Sequence, residues 1–512
     1  MSQLLASGWT AAAHLVVSAL IVLWNIVVAG RIARWRDAPR TIAALSALAG
    51  LVIAPAILIT VVSSSLLLGR SLHAIGWVWP LTAALICTQA IVALARGLVP
   101  PIAGATIAVY DVLVTVIAAA KYTIFLGLAV PAPLADIVAA HASALALGAP
   151  PEAALLPVYL HVPLLAPAVP ARRIRLALAV RASLAGLAAV WTALVLIALP
   201  GARAGARGYA RFAGEPLQER PLADIAIGLR LFPTVSGGGP PPLALESDLA
   251  LAKQVDARVL SVHIAPGQAT AALLDSLARV LEEPRRGGAR LVAALAVQDG
   301  VPLFGAPPDE AYFTARLDEV ERIVRRLRPD YLVPAVPRAG ARRRVTLERW
   351  ASYQEAAAAR AHLIRPRTRV LAHLAGYGAR DSAMYAAATG SSSALDGVGL
   401  RFFPSARGAL SLDARHAAAE RWMRAHPSRK EHWVLEAGGL PMAHGERSQE
   451  LAVWHAIAWA TRQPTVRGVI VHQASDYDAP VGLRAASGRL RPAVSAVERA
   501  IRALGEAAAP SP

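Results

Sequence analysis

The C-terminal half of the chain alternates short strand-like segments with helix-like segments eight times between residues 224 and 506. The strand-like segments are Ile225–Phe232, Val259–Ile264, Leu291–Val297, Tyr331–Val336, Val370–Leu374, Gly397–Phe403, Trp433–Glu436 and Gly468–His472. Between and after them, apolar residues recur with the 3.6-residue period of an amphipathic helix. This alternation predicts a parallel sheet, and eight such units fit a closed (β/α)8 (TIM) barrel. A doubly wound open sheet is the alternative, although no glycine-rich phosphate loop follows the first strand.

The N-terminal half is apolar and predicts an α-helical polytopic membrane domain. Apolar runs lie near residues 10–30, 43–68, 74–95, 102–130, 153–170 and 177–200. A spanning helix needs about 20 apolar residues, so we expect about six transmembrane helices. The run 153–170 is the weakest, because it is short and contains four prolines. The expected domains are a membrane domain at 1–203, a linker at 204–219, the barrel at 220–506 and a disordered tail at 507–512.

Arginines between the apolar runs set the expected orientation, since basic residues favour the cytoplasmic side of a membrane. If Arg31–Arg40 and Arg172–Arg175 lie inside, six spans place both termini outside the cytoplasm. The cluster Arg203–Arg211 conflicts with this orientation, and the barrel becomes cytoplasmic if 153–170 does not span. We expect an integral protein of a bacterial inner (plasma) membrane, embedded in the lipid bilayer, with an extracytoplasmic barrel.

The charged residues and the single cysteine exclude several classes of function. The formal net charge is +18, and it comes almost wholly from arginine. These arginines are scattered and accompany no nucleic-acid-binding motif, which argues against a nucleic-acid partner. Cys87 is the one cysteine of the chain, so neither a disulfide framework nor a thiolate metal site is available. Without a His-x-His or His-Glu-x-x-His pattern, a zinc hydrolase is disfavoured, and we predict no metal and no cofactor.

Polar residues at the strand ends form the candidate site, because the C-terminal ends of the strands make the mouth of a barrel. Glu436 is the most informative of them, since the seventh strand is apolar until it breaks at this carboxylate. The other candidates are Arg230, His263, Asp299, His373, Tyr377, Arg401, His472 and Asp476. Plainer interpretations stay open: buried structural histidines, a turn at Asp299, or Arg401 as a partner of Glu436 in the barrel wall.

The stretch from Trp433 to Val494 resembles the last third of a retaining glycoside hydrolase with the clan-A type of (β/α)8 barrel. Leu435-Glu436-Ala437-Gly438 is similar to the seventh strand that carries the nucleophile in these enzymes. Val466–His472 and Asp476-Tyr477 resemble the eighth strand and its loop, and Gly482-Leu483, Gly488 and Arg491-Pro492-Ala493 resemble the usual ending. The resemblance implies a glycan ligand and a nucleophilic or charge-stabilising role for Glu436.

The second carboxylate of such enzymes is not found in its usual place. The acid/base normally ends the fourth strand as Asn-Glu, but Val336 and Pro337 stand there, and the next carboxylate is Glu348. A retaining mechanism needs two carboxyl groups about 5–5.5 Å apart. If the barrel is active, the acid is a substitute: Asp299, Asp476, His263 or His472.

The loop after the fourth strand is basic instead of acidic. It carries Arg338, Arg342, Arg343 and Arg344, either as a solvated surface or as a clamp for a uronate, sulfate or phosphate group. Two functions stay open. One is a membrane-anchored glycoside-hydrolase-like protein that acts on or binds a cell-envelope polysaccharide. The other is a catalytically inactive glycan-binding or scaffold barrel that works with other envelope polysaccharide-assembly proteins.

Overall fold

The computed structural model describes residues 20–21, 23–28, 30–32, 39–63, 77–125, 128, 130–145, 175–220, 224–232, 242–296, 310–336, 345–374, 376–405, 407–476, 481–485 and 487–506. Several predictions fall outside these residues: the span at 153–170, Asp299, the four arginines at 338 and 342–344, and the tail at 507–512. Chain contacts divide the molecule into two compact units. One consists of residues 1–206, 441–445 and 478–480, and the other consists of residues 207–440, 446–477 and 481–512.

The first unit is α-helical. Its longer helices are α1 (Arg40–Ser63), α2 (Val78–Ala95), α3 (Pro101–Phe125), α4 (Ala132–Leu145) and α5 (Arg175–Gly208). Among the described residues, three helical stretches are long and apolar enough to cross a membrane: Val78–Ala95, Pro101–Thr123 and Ala179–Phe212. A helix suits such sequences because it satisfies its own backbone hydrogen bonds in lipid. The prediction of about six spans is therefore not confirmed.

The stretch that the sequence analysis assigned to a linker holds regular structure in its first half. Helix α5 runs to Gly208, and a short 3-10 helix follows at Tyr209–Phe212. Tyr209 and Phe212 are buried in the hydrophobic core of the barrel unit. The glycine- and arginine-rich composition of 204–219 suggests a linker, but the burial of these two aromatic residues fixes the segment to the barrel.

The second unit contains the predicted barrel, which is confirmed. Its strands are β1 (Ala226–Arg230), β2 (Val259–Ile264), β3 (Arg290–Ala296), β4 (Tyr331–Val336), β5 (Arg369–Leu374), β6 (Gly397–Phe402), β7 (Glu431–Ala437) and β8 (Val466–Val471). They pair in chain order, and β8 pairs in parallel with β1, with Gly228 opposite Ile470, so the sheet closes. This closure excludes the doubly wound open sheet.

Helices follow the strands as the alternation predicts. They are α6 (Pro242–Gln254), α7 (Ala271–Val280), α8 (Glu282–Arg286), α9 (Glu310–Leu327), α10 (Leu347–Ile364), α11 (Ala379–Thr389), α12 (Ala409–Ala425), α13 (Pro441–His444), α14 (Glu446–Arg462) and α15 (Ala493–Glu506). Thr270 and Thr346 start α7 and α10, because each side-chain oxygen accepts a hydrogen bond from a backbone N–H three residues later.

Large aromatic side chains close the floor of the barrel, at the N-terminal ends of the strands. Tyr331 and Trp433 belong to the interior cluster, and their ring centroids are 4.5 Å apart. Gly468 makes room for them, since a Cβ atom there would lie 2.3 Å from the indole ring of Trp433. The interior is therefore packed at the floor, and polar groups are left to the opposite end.

Candidate functional site

A layer of polar side chains lies inside the barrel at the C-terminal ends of the strands. Successive side chains of a strand point to opposite faces, so residues two apart share a face. The interior cluster includes Ala226, Val259, Leu371 and Ile470. Every second residue after each of these also faces the interior, and this series contains Arg230, His263, His373 and His472. The layer consists of Arg230, His263, His373, Arg401 and His472, together with Glu436. The structure thus brings together six of the residues that the sequence analysis selected.

Glu436 reaches this layer through a β-bulge. Trp433 and Leu435 point into the barrel, whereas Val434 and Ala437 face the helices, so strict alternation would also turn Glu436 outward. Val434 and Ala437 of β7 are three residues apart, but their pairing partners on β8 are only two residues apart, so β7 contains one extra residue here. The pairing of β7 with β6 shifts at the same point. Bulges commonly re-aim a side chain beside a functional site. Here the bulge places Glu436 inside.

Positive and polar groups surround the carboxylate of Glu436. Arg401 Nε is 2.5 Å from Oε2, and Arg230 Nη1 is 3.9 Å from Oε1. His373 Nε2 and His472 Nδ1 lie 4.0 and 3.9 Å from the same carboxylate. Burial alone would raise the pKa of Glu436, but Arg401 and the other neighbours outweigh it and hold the pKa well below its usual range. The group is therefore an anion at neutral pH.

The hydrogen bond between Arg230 and His472 fixes the protonation of the histidine. Arg230 Nη1 is 3.0 Å from His472 Nδ1. A guanidinium can only donate, so His472 accepts at Nδ1, is neutral and carries its proton on Nε2. This assignment follows from the hydrogen-bond pattern. A neutral imidazole offers an N–H donor, but it is not the protonated acid that the sequence analysis considered.

His263 is also unsuited to be an acid at neutral pH. Burial, followed by the positive charge of Arg230, lowers its pKa well below the ordinary value of 6.5. The imidazole is thus neutral when Glu436 is ionised. Neither of the two histidines predicted as substitute acids is therefore in its protonated form at neutral pH.

Asp476, predicted as a catalytic candidate, lies in a different environment. Its two carboxylate oxygens are each 2.7 Å from a guanidinium nitrogen of Arg491, and the backbone N–H of Gly482 donates to it at 2.8 Å. Asp476 is 5 % exposed. A bidentate pair of this kind holds the loop after β8 together. The structure thus assigns Asp476 a structural contact, and the catalytic role stays an untested prediction.

Tyr377 lies behind Arg401. Its hydroxyl donates to the backbone carbonyl of Arg401 at 2.9 Å, and its ring stacks on Trp422 with centroids 5.3 Å apart. The sequence predicts that Tyr377 binds substrate, whereas these contacts tie it to the end of β6. One residue of this neighbourhood was missed: Arg415 of α12, whose charge acts on Arg401 and Glu436. No strand-end signal marks it, because it lies on a helix.

No metal site is evident in the part of the chain that the structure describes: no group of three or more His, Cys, Asp or Glu residues is arranged to hold an ion.

Comparisons with known proteins give similarities of fold. No protein-family model matches the chain, and no curated protein matches it. An exo-β-1,4-mannosidase from Opitutaceae bacterium strain TAV5 is 15 % identical over 56 % of this chain and 61 % of that chain, with a TM-score of 0.44. A family 39 glycoside hydrolase from Bacteroides cellulosilyticus is 12 % identical over 55 % and 63 %, with a TM-score of 0.42.

A third solved structure, GH5_18 from Bifidobacterium longum, is 12 % identical over 54 % of this chain and 78 % of that chain, with a TM-score of 0.43. The aligned part therefore spans about three fifths of the first two proteins and about half of this chain. These three solved structures are glycoside hydrolases by their names.

Proposed function

We propose that the barrel binds an acidic glycan at its C-terminal mouth and hydrolyses it slowly or not at all. The observation that carries this proposal is the state of Glu436. It is a buried, ionised carboxylate inside a layer that also contains Arg230 and Arg401. Two fixed positive charges against one negative charge leave the layer cationic, which favours an anionic ligand.

A glycan is favoured over other anions by the local sequence around Glu436. The stretch from Trp433 to Val494 resembles clan-A glycoside hydrolases, and the closed barrel puts Glu436 at the end where such folds bind ligands. Three histidines in the same layer offer ring nitrogens that can donate to or accept from sugar hydroxyls. The sequence that follows β4 contains four further arginines, which lie outside the described residues and whose positive charge also favours an anionic ligand.

Slow or absent hydrolysis is proposed because none of the candidate residues that the structure describes is available as the general acid. Val336 ends β4, and residues 337–344 contain no carboxylate. Asp476 is paired with Arg491, and His263 and His472 are neutral. General acid catalysis contributes about 10²–10⁴-fold, so its loss leaves little turnover of glycosides with poor leaving groups.

A weak glycosidase is the second candidate, and one observation favours it. Asp299 follows the end of β3 by three residues, and it lies outside the described residues. If Asp299 supplies the acid, Asp299→Asn abolishes cleavage of neutral or acidic oligosaccharides and spares that of substrates with activated leaving groups, which need little protonation.

The first test compares glycan binding by the full-length protein and its Glu436→Gln variant. The probes are an oligogalacturonate and a neutral cello-oligosaccharide of equal length. We expect the oligogalacturonate to bind more tightly, and Glu436→Gln to weaken its binding at least about tenfold, a loss of roughly 1.4 kcal/mol. Isothermal titration calorimetry measures both affinities.

The matched control is Glu431→Gln, the same change at the other end of β7. Glu431 accepts a hydrogen bond from Tyr331 at the barrel floor and is not part of the mouth. Its replacement should leave binding unchanged. Equal affinity for the neutral and acidic probes contradicts an acidic ligand, and a Glu436→Gln variant that loses thermal stability but keeps binding assigns Glu436 to a structural ion pair.

The setting that we propose is a membrane. Three helices of spanning length support insertion into a bilayer. We propose that the barrel is extracytoplasmic, that its glycan is a cell-envelope polysaccharide, and that polysaccharide-assembly proteins are its partners. The sequence positions of Arg31–Arg40 and Arg172–Arg175 support this orientation, whereas those of Arg203–Arg211 oppose it.

A further inference from the structure

A stack of side chains lies behind Arg401, on the helix side of β6. The ring of Tyr377 packs on Trp422 with centroids 5.3 Å apart and an interplanar angle of 11°. The guanidinium carbon of Arg415 lies 5.7 Å from the centroid of the same ring. Phe402, the neighbour of Arg401 in β6, stacks on Tyr377 at 6.3 Å. The stack therefore connects helix α12 to the end of the strand that carries Arg401.

The hydroxyl of Tyr377 acts on the backbone of Arg401. It donates to the Arg401 carbonyl oxygen at 2.9 Å. This is the point where the pairing of β6 with β7 shifts, because Arg401 pairs with Glu436 after Leu400 pairs with Val434. A hydrogen bond at a register shift fixes backbone that the ladder holds less firmly. Tyr377 thus fixes the backbone position from which the Arg401 side chain extends.

Arg415 acts on the site through its charge. Burial lowers the pKa of its guanidinium to about 10, so the group is protonated at neutral pH. Its charge repels that of Arg401 and attracts that of Glu436. Arg415 also lies over the face of Tyr377, where a cation and an aromatic ring attract each other. Removing Arg415 would therefore disturb both the ring and the electrostatic balance of the ion pair.

We propose that Tyr377 and Arg415 are positioning residues that hold Arg401 against Glu436 and thereby set the affinity of the mouth for its acidic ligand. The binding part of this inference rests on the proposed function. The geometric part, that the two residues keep the Arg401–Glu436 ion pair in place, stands on the contacts above and can be tested without any ligand.

The test with ligand is a double-mutant cycle in the full-length protein, with oligogalacturonate as the probe. Tyr377→Phe removes one hydroxyl and should weaken binding about fivefold, the usual effect of one hydrogen bond. In an Arg401→Gln background the same change should have no further effect, because Tyr377 acts through Arg401. Arg415→Gln should also weaken binding, and Arg415→Lys should restore part of it by returning the charge.

Tyr385→Phe is the matched control. Its hydroxyl is hydrogen-bonded to His432 Nε2 at 2.8 Å, and its ring also contacts Trp422, but it has no contact with Arg401 among the described residues. We expect it to leave affinity unchanged. A loss for Tyr377→Phe that matches that of Tyr385→Phe, or that persists in the Arg401→Gln background, would overturn the proposal.

The test without ligand measures the ionisation of Glu436 by infrared titration of its carboxyl band. The band is identified as the difference between the full-length protein and Glu436→Gln. In Tyr377→Phe and Arg415→Gln, Glu436 should protonate at a higher pH than in the wild type, because Arg401 is held less firmly. An unchanged titration overturns the positioning role. Failure of the wild type to bind oligogalacturonate contradicts the proposed function alone.

Discussion

Individual residues of the site were predictable where strand alternation holds. Arg230, His263, His373 and His472 follow the two-residue period from interior apolar residues, and Arg401 alternates with Leu400 and Phe402, which face the helices, so the sequence places all five on one face. Glu436 reaches the same face only because of the bulge at Leu435, and no sequence rule signals this bulge. The contacts of Asp476 and Tyr377 were also not predicted, since no local pattern links them to their partners Arg491 and Trp422, which lie 15 and 45 residues further along the chain.

Asp476 offers a test of stability at the scale of one residue. Asp476→Asn removes one charge of a buried bidentate pair and leaves Arg491 with Glu446 as its carboxylate partner, at 3.3 Å from Nε. We expect a loss of about 1–3 kcal/mol in the free energy of unfolding, less than for a buried charge deprived of every partner, because Glu446 still compensates part of the charge. Urea denaturation of the full-length protein in detergent measures the change.

A control for Asp476 is available on the surface of the barrel. Asp413 pairs with Arg211 at 2.7 Å, and its side chain is 39 % exposed. Asp413→Asn should cost no more than about 1 kcal/mol, because solvent screens such pairs. If both variants are equally stable, the Asp476–Arg491 pair contributes little to stability, and the predicted catalytic role of Asp476 gains support.

The strands and helices of the barrel were largely predictable, because each carries a clear period of its own. The segment before β1 was not. Glu215 Oε2 lies 2.7 Å from His455 Nδ1, and His455 Nε2 lies 2.8 Å from Nδ1 of His416 on α12. The ring of Phe212 stacks on His455 at 3.7 Å. A composition rich in Gly, Arg and Ala suggests a linker, and only tertiary contacts show that the segment is fixed to α12 and α14.

This pair of histidines predicts a dependence of stability on pH. Burial, and for His416 also His455, lowers both pKa values below the ordinary 6.5, and for His416 well below it. The unfolded chain therefore binds more protons than the folded protein at pH values under 6.5. Stability is fully present above that pH and falls as the pH drops towards the folded-state pKa values, by up to about 1.4 kcal/mol per pH unit for each histidine.

Urea denaturation at a series of pH values measures this slope. His416→Phe keeps a ring against Trp459 and Phe402 but cannot titrate. It should be less stable than the wild type at neutral pH, since His455 loses a partner, and its stability should depend less on pH below 6.5. Identical slopes for the wild type and His416→Phe would show that the pair does not titrate in this range.

At the scale of the whole molecule, the two halves differ in how far the sequence determines them. Eight alternating units specify a closed barrel almost without ambiguity. Apolar runs identify helices of spanning length, but their number depends on weak segments such as 153–170, which lies outside the described residues. The orientation of the barrel depends on that number, so it remains a prediction.

Protease treatment of intact spheroplasts tests the orientation. An extracytoplasmic barrel should be released as a fragment of about 33 kDa, from roughly 300 residues of about 110 Da each. Full protection of this fragment until the cells are lysed would place the barrel in the cytoplasm. A tag fused after residue 512 and detected by antibody on intact spheroplasts gives an independent reading.

The packed floor of the barrel limits the way in which a polymer can meet Glu436. Tyr331 and Trp433 fill the interior beneath the polar layer, so the mouth is a dead end with a single opening. A long polysaccharide cannot be threaded through it, and whatever enters has to leave by the same route. A polymer can therefore meet Glu436 from the mouth side alone, either by a chain end or by a segment laid across the mouth.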